Sequence, residues 1–193
     1  MSDSINSKRK FNNKPITILS LLFLVLVCVA SCQRYKVKVS VTKMIGKELI
    51  FPDSMLCFDS GFFSDSTISI NEPSIIFWLD SSDCTKCNVD RLYEYHSMIE
   101  DFEDSLFVDI AFYPIVSIGS QNQNNNNLLN LNFPIFLDRT NSFKRLNSFI
   151  PDDKRYHFFL LDNVNVIKLV GDPRYSVSLN NLYFKTIKLI DER

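Results

Sequence analysis

The sequence predicts an α/β domain with a mixed central sheet flanked by helices. Three observations carry this. Ser74–Leu79 is an unbroken apolar run of strand length, the pattern of a strand covered on both faces. From residue 85 to about 104, Val89, Leu92, Tyr93, His96, Ile99 and Phe102 recur at three- and four-residue steps, which marks an amphipathic helix. Beyond it, strand and helix patterns alternate and end in a hairpin. Strands separated by helices imply parallel neighbours with right-handed crossovers. The hairpin adds antiparallel strands.

The elements follow in order. Tyr35, Val37, Val39 and Val41 alternate with polar residues and read as an N-terminal strand extension. Residues 43–73 are mixed, with a short strand at 68–70. Asp80-Ser81-Ser82-Asp83 supplies turn and helix-capping chemistry after the buried strand. Residues 106–113 form a second apolar strand, and the polar tract 119–127 a surface loop. A short strand at 133–137 and a helix at 141–149 make an inserted strand/helix unit. Residues 156–161 and 164–170 form strands joined at Asp162-Asn163, a hairpin signal. Gly171-Asp172-Pro173 breaks the chain. Leu179, Leu182, Tyr183, Ile187 and Ile190 mark a closing helix.

The first 31 residues stand apart. Lys8-Arg9-Lys10 and Lys14 precede an uncharged run of about 15 residues, 16–30, which is short of the roughly 20 needed to span a bilayer as a helix. Basic, apolar, then small is the order of a secretory signal peptide. Val29-Ala30-Ser31-Cys32 resembles the bacterial lipobox, which implies that Cys32 is acylated and heads the mature chain. The expected organisation is a signal peptide over 1–31, a lipid-anchor site and extension over 32–44, and one domain over 45–193. The expected location is the cell envelope, anchored by lipid and facing the periplasm or exterior. Gln33 after Cys32 favours an outer membrane if the cell has one. Beyond residue 31, acids outnumber bases by four. No basic surface for a nucleic-acid partner is indicated.

Of five cysteines, Cys28 leaves with the signal peptide and Cys32 takes lipid. Cys57, among Met55, Leu56 and Phe58, reads as a small buried apolar residue. Cys84 and Cys87 are three apart, a spacing for a redox loop rather than a structural staple.

Phe77-Trp78 on a buried strand, then Cys84-Thr85-Lys86-Cys87 opening a helix, resembles the thioredoxin superfamily. The inserted unit is similar to that of exported thiol-disulfide oxidoreductases of the TlpA/ResA type, which are related to peroxiredoxins. Residues 133–138 and 158–162 resemble further strands of that group. The resemblance implies a thioredoxin-like fold over roughly 45–190 and a redox-active disulfide. It implies Cys84 as the attacking thiol and Cys87 as the resolving one. A helix N-terminus stabilises a thiolate, and Lys86 between the cysteines adds positive charge beside Thr85. Trp78, Tyr156 and His157 are the expected supporting residues, the last two in the loop facing the pair. No cofactor and no metal are implied. The expected partners are envelope protein thiols and disulfides, with a membrane or periplasmic thiol protein for recycling.

Three departures from the pattern stand in the sequence. The loop facing the pair has Tyr156 and His157 where such enzymes place a cis-proline, so a trans bond is expected. Phe77 or Trp78 stands where thioredoxins carry a buried acid. The segment 118–134 has no Asp or Glu to replace it. His96 reads as a half-buried histidine on the helix, whereas His157 is placed to act near the cysteines.

Other functions compete. A thiol peroxidase of the peroxiredoxin type is suggested by Ser81 three residues before Cys84, with Arg139 as the guanidinium; Phe77 fills the place of that motif's proline. A metal carrier could use Cys84, Cys87 and His157, since thiolates suit Cu(I) or Zn, but a closed zinc site wants four ligands. A binding lipoprotein with a merely structural disulfide is the fourth reading.

Overall fold

The computed structural model describes residues 37–80, 85–117 and 133–192, the side chains of 85–91 excepted. The chain divides into two compact units, Met1–Ser40 and Val41–Arg193. The described residues 37–40 of the first are helical, and the second opens in the same conformation through residue 44 (α1, 37–44). The N-terminal strand extension predicted over 35–41 is therefore helix where it is described. Two periods fit these residues. Val37, Val39 and Val41 alternate, but Val37, Val41 and Met44 also stand four and three apart. Met44 is fully buried, so the helical spacing prevails. Gly46, at φ 81°, ends the helix in the left-handed conformation that glycine adopts without steric cost.

The second unit is built on a seven-stranded mixed sheet. Its strands are β1 Met55–Asp59, β2 Phe62–Ser66, β3 Ser74–Leu79, β4 Ala111–Ser117, β5 Ile135–Asp138, β6 Phe158–Leu161 and β7 Ile167–Val170. The helices are α2 Thr85–Leu106, α3 Ser142–Leu146 and α4 Val177–Asp191. The strand order is β2-β1-β5-β4-β3-β6-β7. β3, β4 and β5 run parallel, and the remaining pairs are antiparallel.

Several elements differ from the sequence reading. The stretch 43–73 contains the β1–β2 hairpin, turned by Ser60 and Gly61, both at positive φ as such two-residue turns require. Residues 68–70 are not strand. The second strand of the core begins at Ala111 rather than at 106, because α2 continues to Leu106. The Glu103 side chain then ties the connection to the helix by accepting the Ile110 N–H at 2.9 Å. The inserted helix is shorter than 141–149, and its strand lies between β1 and β4.

β3 separates two apolar layers. Ile75, Phe77 and Leu79 meet Leu92, Tyr95, Ile99 and Phe102 of α2 and Tyr183 and Ile187 of α4. Phe102 stands edge-on to Phe184 at 4.6 Å, joining the two helices. Each such side chain contributes roughly 1.5–3 kcal/mol by leaving water. The buried stripe of α2 includes Tyr95 but not Tyr93, which is exposed. Trp78 points to the opposite layer, where the Phe143 ring of α3 lies 6.0 Å away. Asn147, fully buried, ties this layer together. Its Oδ1 accepts the Ile50 N–H at 2.9 Å, and its Nδ2 donates to Ile50 O at 2.7 Å and Phe143 O at 2.8 Å. Among the described residues no helix is long and apolar enough to cross a membrane.

Candidate functional site

The site forms at the carboxyl end of β3, where the chain leaves the sheet for α2. Phe77 pairs with Phe158, so the next residue, Trp78, meets His157 at the foot of β6. The Trp78 N–H donates to His157 O at 2.9 Å, and the two rings lie 4.2 Å apart at 43°. Trp78 Nε1 donates to Ser117 Oγ at 3.0 Å at the end of β4, and that hydroxyl donates to Asn141 Oδ1 at 3.3 Å. The Lys144 ammonium sits 5.5 Å from the Trp78 ring centroid. It also donates to Ile150 O and pairs with Asp152 at 2.8 Å. The indole is thus packed against His157, Phe143 and Lys144 and bonded at its one polar atom.

His157 is 1% exposed. Its Nε2 lies 2.9 Å from Pro151 O. A carbonyl only accepts, so Nε2 carries the proton and Nδ1 is a bare acceptor. Nδ1 is buried without a hydrogen-bond partner among the described residues. Burial holds the imidazole below its ordinary pKa, partly countered by the bond to Pro151; Lys144 pushes the same way as burial. The ring is therefore neutral at pH 7.

Tyr156, also buried, ends the turn Lys154–Tyr156. Asp153 caps this turn by accepting the Arg155 N–H at 3.1 Å. Its carboxyl is held below the usual range by the Arg155 guanidinium. Among the described residues no peptide bond is cis.

Phe77, Trp78, Tyr95, His157, Phe158 and Tyr175 help enclose a cleft of about 190 Å³. Asp172 closes one side. It accepts the Tyr95 hydroxyl at 2.7 Å and the Arg174 guanidinium at 2.8 Å. Arg174 lies 3.7 Å over the Tyr95 ring and reaches Glu94 on α2. Burial raises the Asp172 carboxyl pKa, but the bonds from Arg174 and Tyr95 outweigh it, and the net shift is downward. Sequence reasoning missed this cluster. Gly171-Asp172-Pro173 was legible only as a chain break. Nothing local shows that the same carboxylate receives a tyrosine 77 positions away.

Of the predicted site residues, the fold brings Trp78 and His157 together, whereas Tyr156 is buried at the end of the preceding turn with Arg155 over its ring. Cys32 and Cys84 lie outside the described residues. Thr85, Lys86 and Cys87 open the backbone of α2, but their side chains also lie outside. Cys57 is buried on β1. Its thiol pKa is raised by burial and by Asp59. His96 is half-buried, 3.4 Å from Glu100 and stacked on Phe133. Arg139 is exposed. Among the described residues no three His, Cys, Asp or Glu side chains gather as metal ligands would.

A seven-stranded mixed sheet of this order, with α2 leaving β3 and the β6–β7 hairpin returning beside it, is a thioredoxin-like fold. Solved structures share it. AhpC of Enterococcus faecalis matches over 78% of this chain and 95% of its own, at 13% identity and a TM-score of 0.50. The thioredoxin domain of a thiol-disulfide oxidoreductase from Bacteroides vulgatus matches over 74% and 97%, at 11% identity and a TM-score of 0.50. Copper-bound ScoI of Arabidopsis thaliana matches over 75% and 99%, at 13% identity and a TM-score of 0.50. No protein-family profile and no curated sequence matches the chain.

Proposed function

We propose that this protein is an exported thiol-disulfide oxidoreductase, anchored in the cell envelope by lipid on Cys32. Cys84 attacks the disulfide of an envelope protein and Cys87 resolves the mixed disulfide. One observation carries the reading: α2 begins at Thr85, directly after β3 and the short segment that follows it. The pair Cys84 and Cys87 thus spans the start of a 22-residue helix, where unpaired N–H groups and the helix dipole favour a thiolate. The aromatic cleft beside this edge of the sheet offers a docking surface for the substrate chain. A partner thiol protein recycles the pair.

The test is a redox titration of the mature protein, with Cys57→Ser so that only the pair responds. Equilibration against glutathione should give reversible two-electron oxidation, with one thiol ionising below the ordinary value of about 8.5. Two thiols titrating as free cysteines, or a bond that glutathione never reduces, would leave a binding protein on a shared fold. Thiol peroxidase is the second reading, suggested by Ser81 three residues before Cys84. It predicts consumption of hydrogen peroxide, which the exchange reading does not. For the anchor, Cys32→Ala should move the protein from the membrane fraction to the soluble one or leave its signal peptide uncleaved. Unchanged, detergent-dependent membrane association with normal cleavage would refute lipidation.

A further inference from the structure

We infer that β2 is a strand-docking edge, which takes an extended partner segment carrying a lysine or arginine two residues before an apolar side chain. β2 is separated from β3 by β1, β5 and β4 and shares no residue with the proposed exchange site. The sheet has two edges, and the chain treats them differently. β7 is covered. The Gly46 N–H donates to Ile167 O at 2.8 Å, the Ile167 N–H to Lys47 O at 2.9 Å and the Leu49 N–H to Asn165 O at 2.9 Å. β2 pairs with β1 alone. An open edge is a template for another strand, and proteins commonly blunt it with lysine, proline or a bulge. Phe62-Phe63-Ser64-Asp65-Ser66 has neither residue, and its register with β1 is unbroken.

The register fixes which backbone groups are open. The two-residue turn at Ser60-Gly61 makes Asp59 and Phe62 the hydrogen-bonded pair that closes the hairpin. Pairs then alternate. Phe62, Ser64 and Ser66 turn their N–H and C=O toward β1, whereas Phe63 and Asp65 turn theirs outward. Side chains alternate as well. Phe63 and Asp65 share the face on which the Phe63 ring lies 4.8 Å from Phe58, and Phe62 and Ser64 share the other. Phe62 is 78% exposed and Phe63 48%. The open edge thus carries an uncovered aromatic ring on each face of the sheet.

Charge selects the occupant. Asp59 and Asp65 are both exposed, and neither joins an ion pair among the described residues. A second copy of β2, laid antiparallel about Ser64, would set phenylalanine opposite aspartate and gather the aspartates of both copies along one seam. Like charges across a seam are destabilising, whereas opposite charges and apolar pairs are stabilising. An antiparallel partner segment reading cation, polar, apolar, apolar sets its cation opposite Asp65 and its apolar side chains opposite Phe63 and Phe62. Main-chain bonds to Phe63 and Asp65 hold such a segment, and the side chains select it.

The test titrates the full chain, in detergent, into a fluorescent capped peptide whose centre reads lysine, threonine, valine, valine, and follows anisotropy. Saturable binding is expected. Methylating the backbone nitrogen of the first valine removes a donor that faces Phe63 and should weaken binding about fivefold. Methylating the threonine nitrogen, which faces away from β2, should leave binding unchanged. Asp65→Lys, an exposed change, should weaken the lysine peptide about tenfold and restore binding to a peptide with glutamate in its place. No binding overturns the proposal. Binding indifferent to both the methylation and the charge reversal is adsorption on the phenylalanines and overturns it equally. Asp65→Pro removes only an outward N–H and spares the β1 ladder. A dimer of the full chain that this variant disperses would put a second copy on the edge, against the proposal.

Discussion

On the proposed exchange reading, replacing Cys84 with Ser should abolish disulfide exchange, whereas replacing Cys87 with Ser should give a protein that attacks once and stays joined to its substrate. The difference follows from chain order. Cys84 precedes the first residue of α2 and Cys87 is the third residue within it. A hydroxyl cannot replace the thiolate, because its proton is held too tightly near neutral pH. The loss in Cys84→Ser should exceed about a thousandfold, or more than about 4 kcal/mol of barrier. In Cys87→Ser the first step survives and the mixed disulfide accumulates. Mass spectrometry of the alkylated, unreduced protein separates the two results: no adduct for the first, a stable adduct for the second. Cys57 does not obscure the measurement. It is 6% exposed on β1, and burial raises its pKa, so it stays a thiol out of reach. An adduct on Cys87 in Cys84→Ser, at the wild-type rate, would reverse the assigned roles. Turnover in both variants would remove the pair from the mechanism.

Legibility in the sequence followed the strength of each local signal. β3, α2, the β6–β7 hairpin and α4 were readable because buried runs and helical spacing are long there. The β1–β2 hairpin was not, because Phe62 and Phe63 on β2 are both exposed and alternation fails. The strand at 106–113 was placed too early for a definite reason. α2 runs on to Leu106, so the apolar residues from 106 belong to the helix end and the turn after it, and β4 opens only at Ala111. At 35–41 two periods fitted equally, and the burial of Met44 separates them. The sequence placed His157 in a loop before the hairpin, but its stacking on Trp78 shows only once β3 and β6 are seen to pair. The Tyr95–Asp172 contact was not, because Tyr95 lay outside the stripe drawn on the helix and only tertiary packing shows its burial.

That contact carries the largest expected effect on stability. Asp172→Ala should destabilise the fold by about 3–5 kcal/mol, the usual cost of stranding one partner of a buried pair. The Tyr95 hydroxyl, on a residue 2% exposed, loses its acceptor, and the Arg174 guanidinium packed on that ring loses one of its two carboxylate partners and keeps Glu94. Asp172→Asn keeps an oxygen for Tyr95 and should cost less than Asp172→Ala. The pH dependence has a defined sign. Burial pushes the Asp172 pKa up, but Arg174 and Tyr95 pull it further down, so the folded value lies below the unfolded one. The contribution is therefore present above the unfolded carboxyl value of about 3.9 and is lost as pH falls through the folded one. Urea unfolding at pH 7 and at pH 3 should show a gap between wild type and Asp172→Asn that narrows in acid. A gap that is absent at pH 7, or equal at both pH values, would make the contact a solvated surface pair. The clamp would then not be what holds α2 against the turn preceding α4. If the gap behaves as derived, the same variant should loosen the cleft wall that Tyr95 shares with Phe77 and Phe158, since their rings lie 4.4 and 4.9 Å from it.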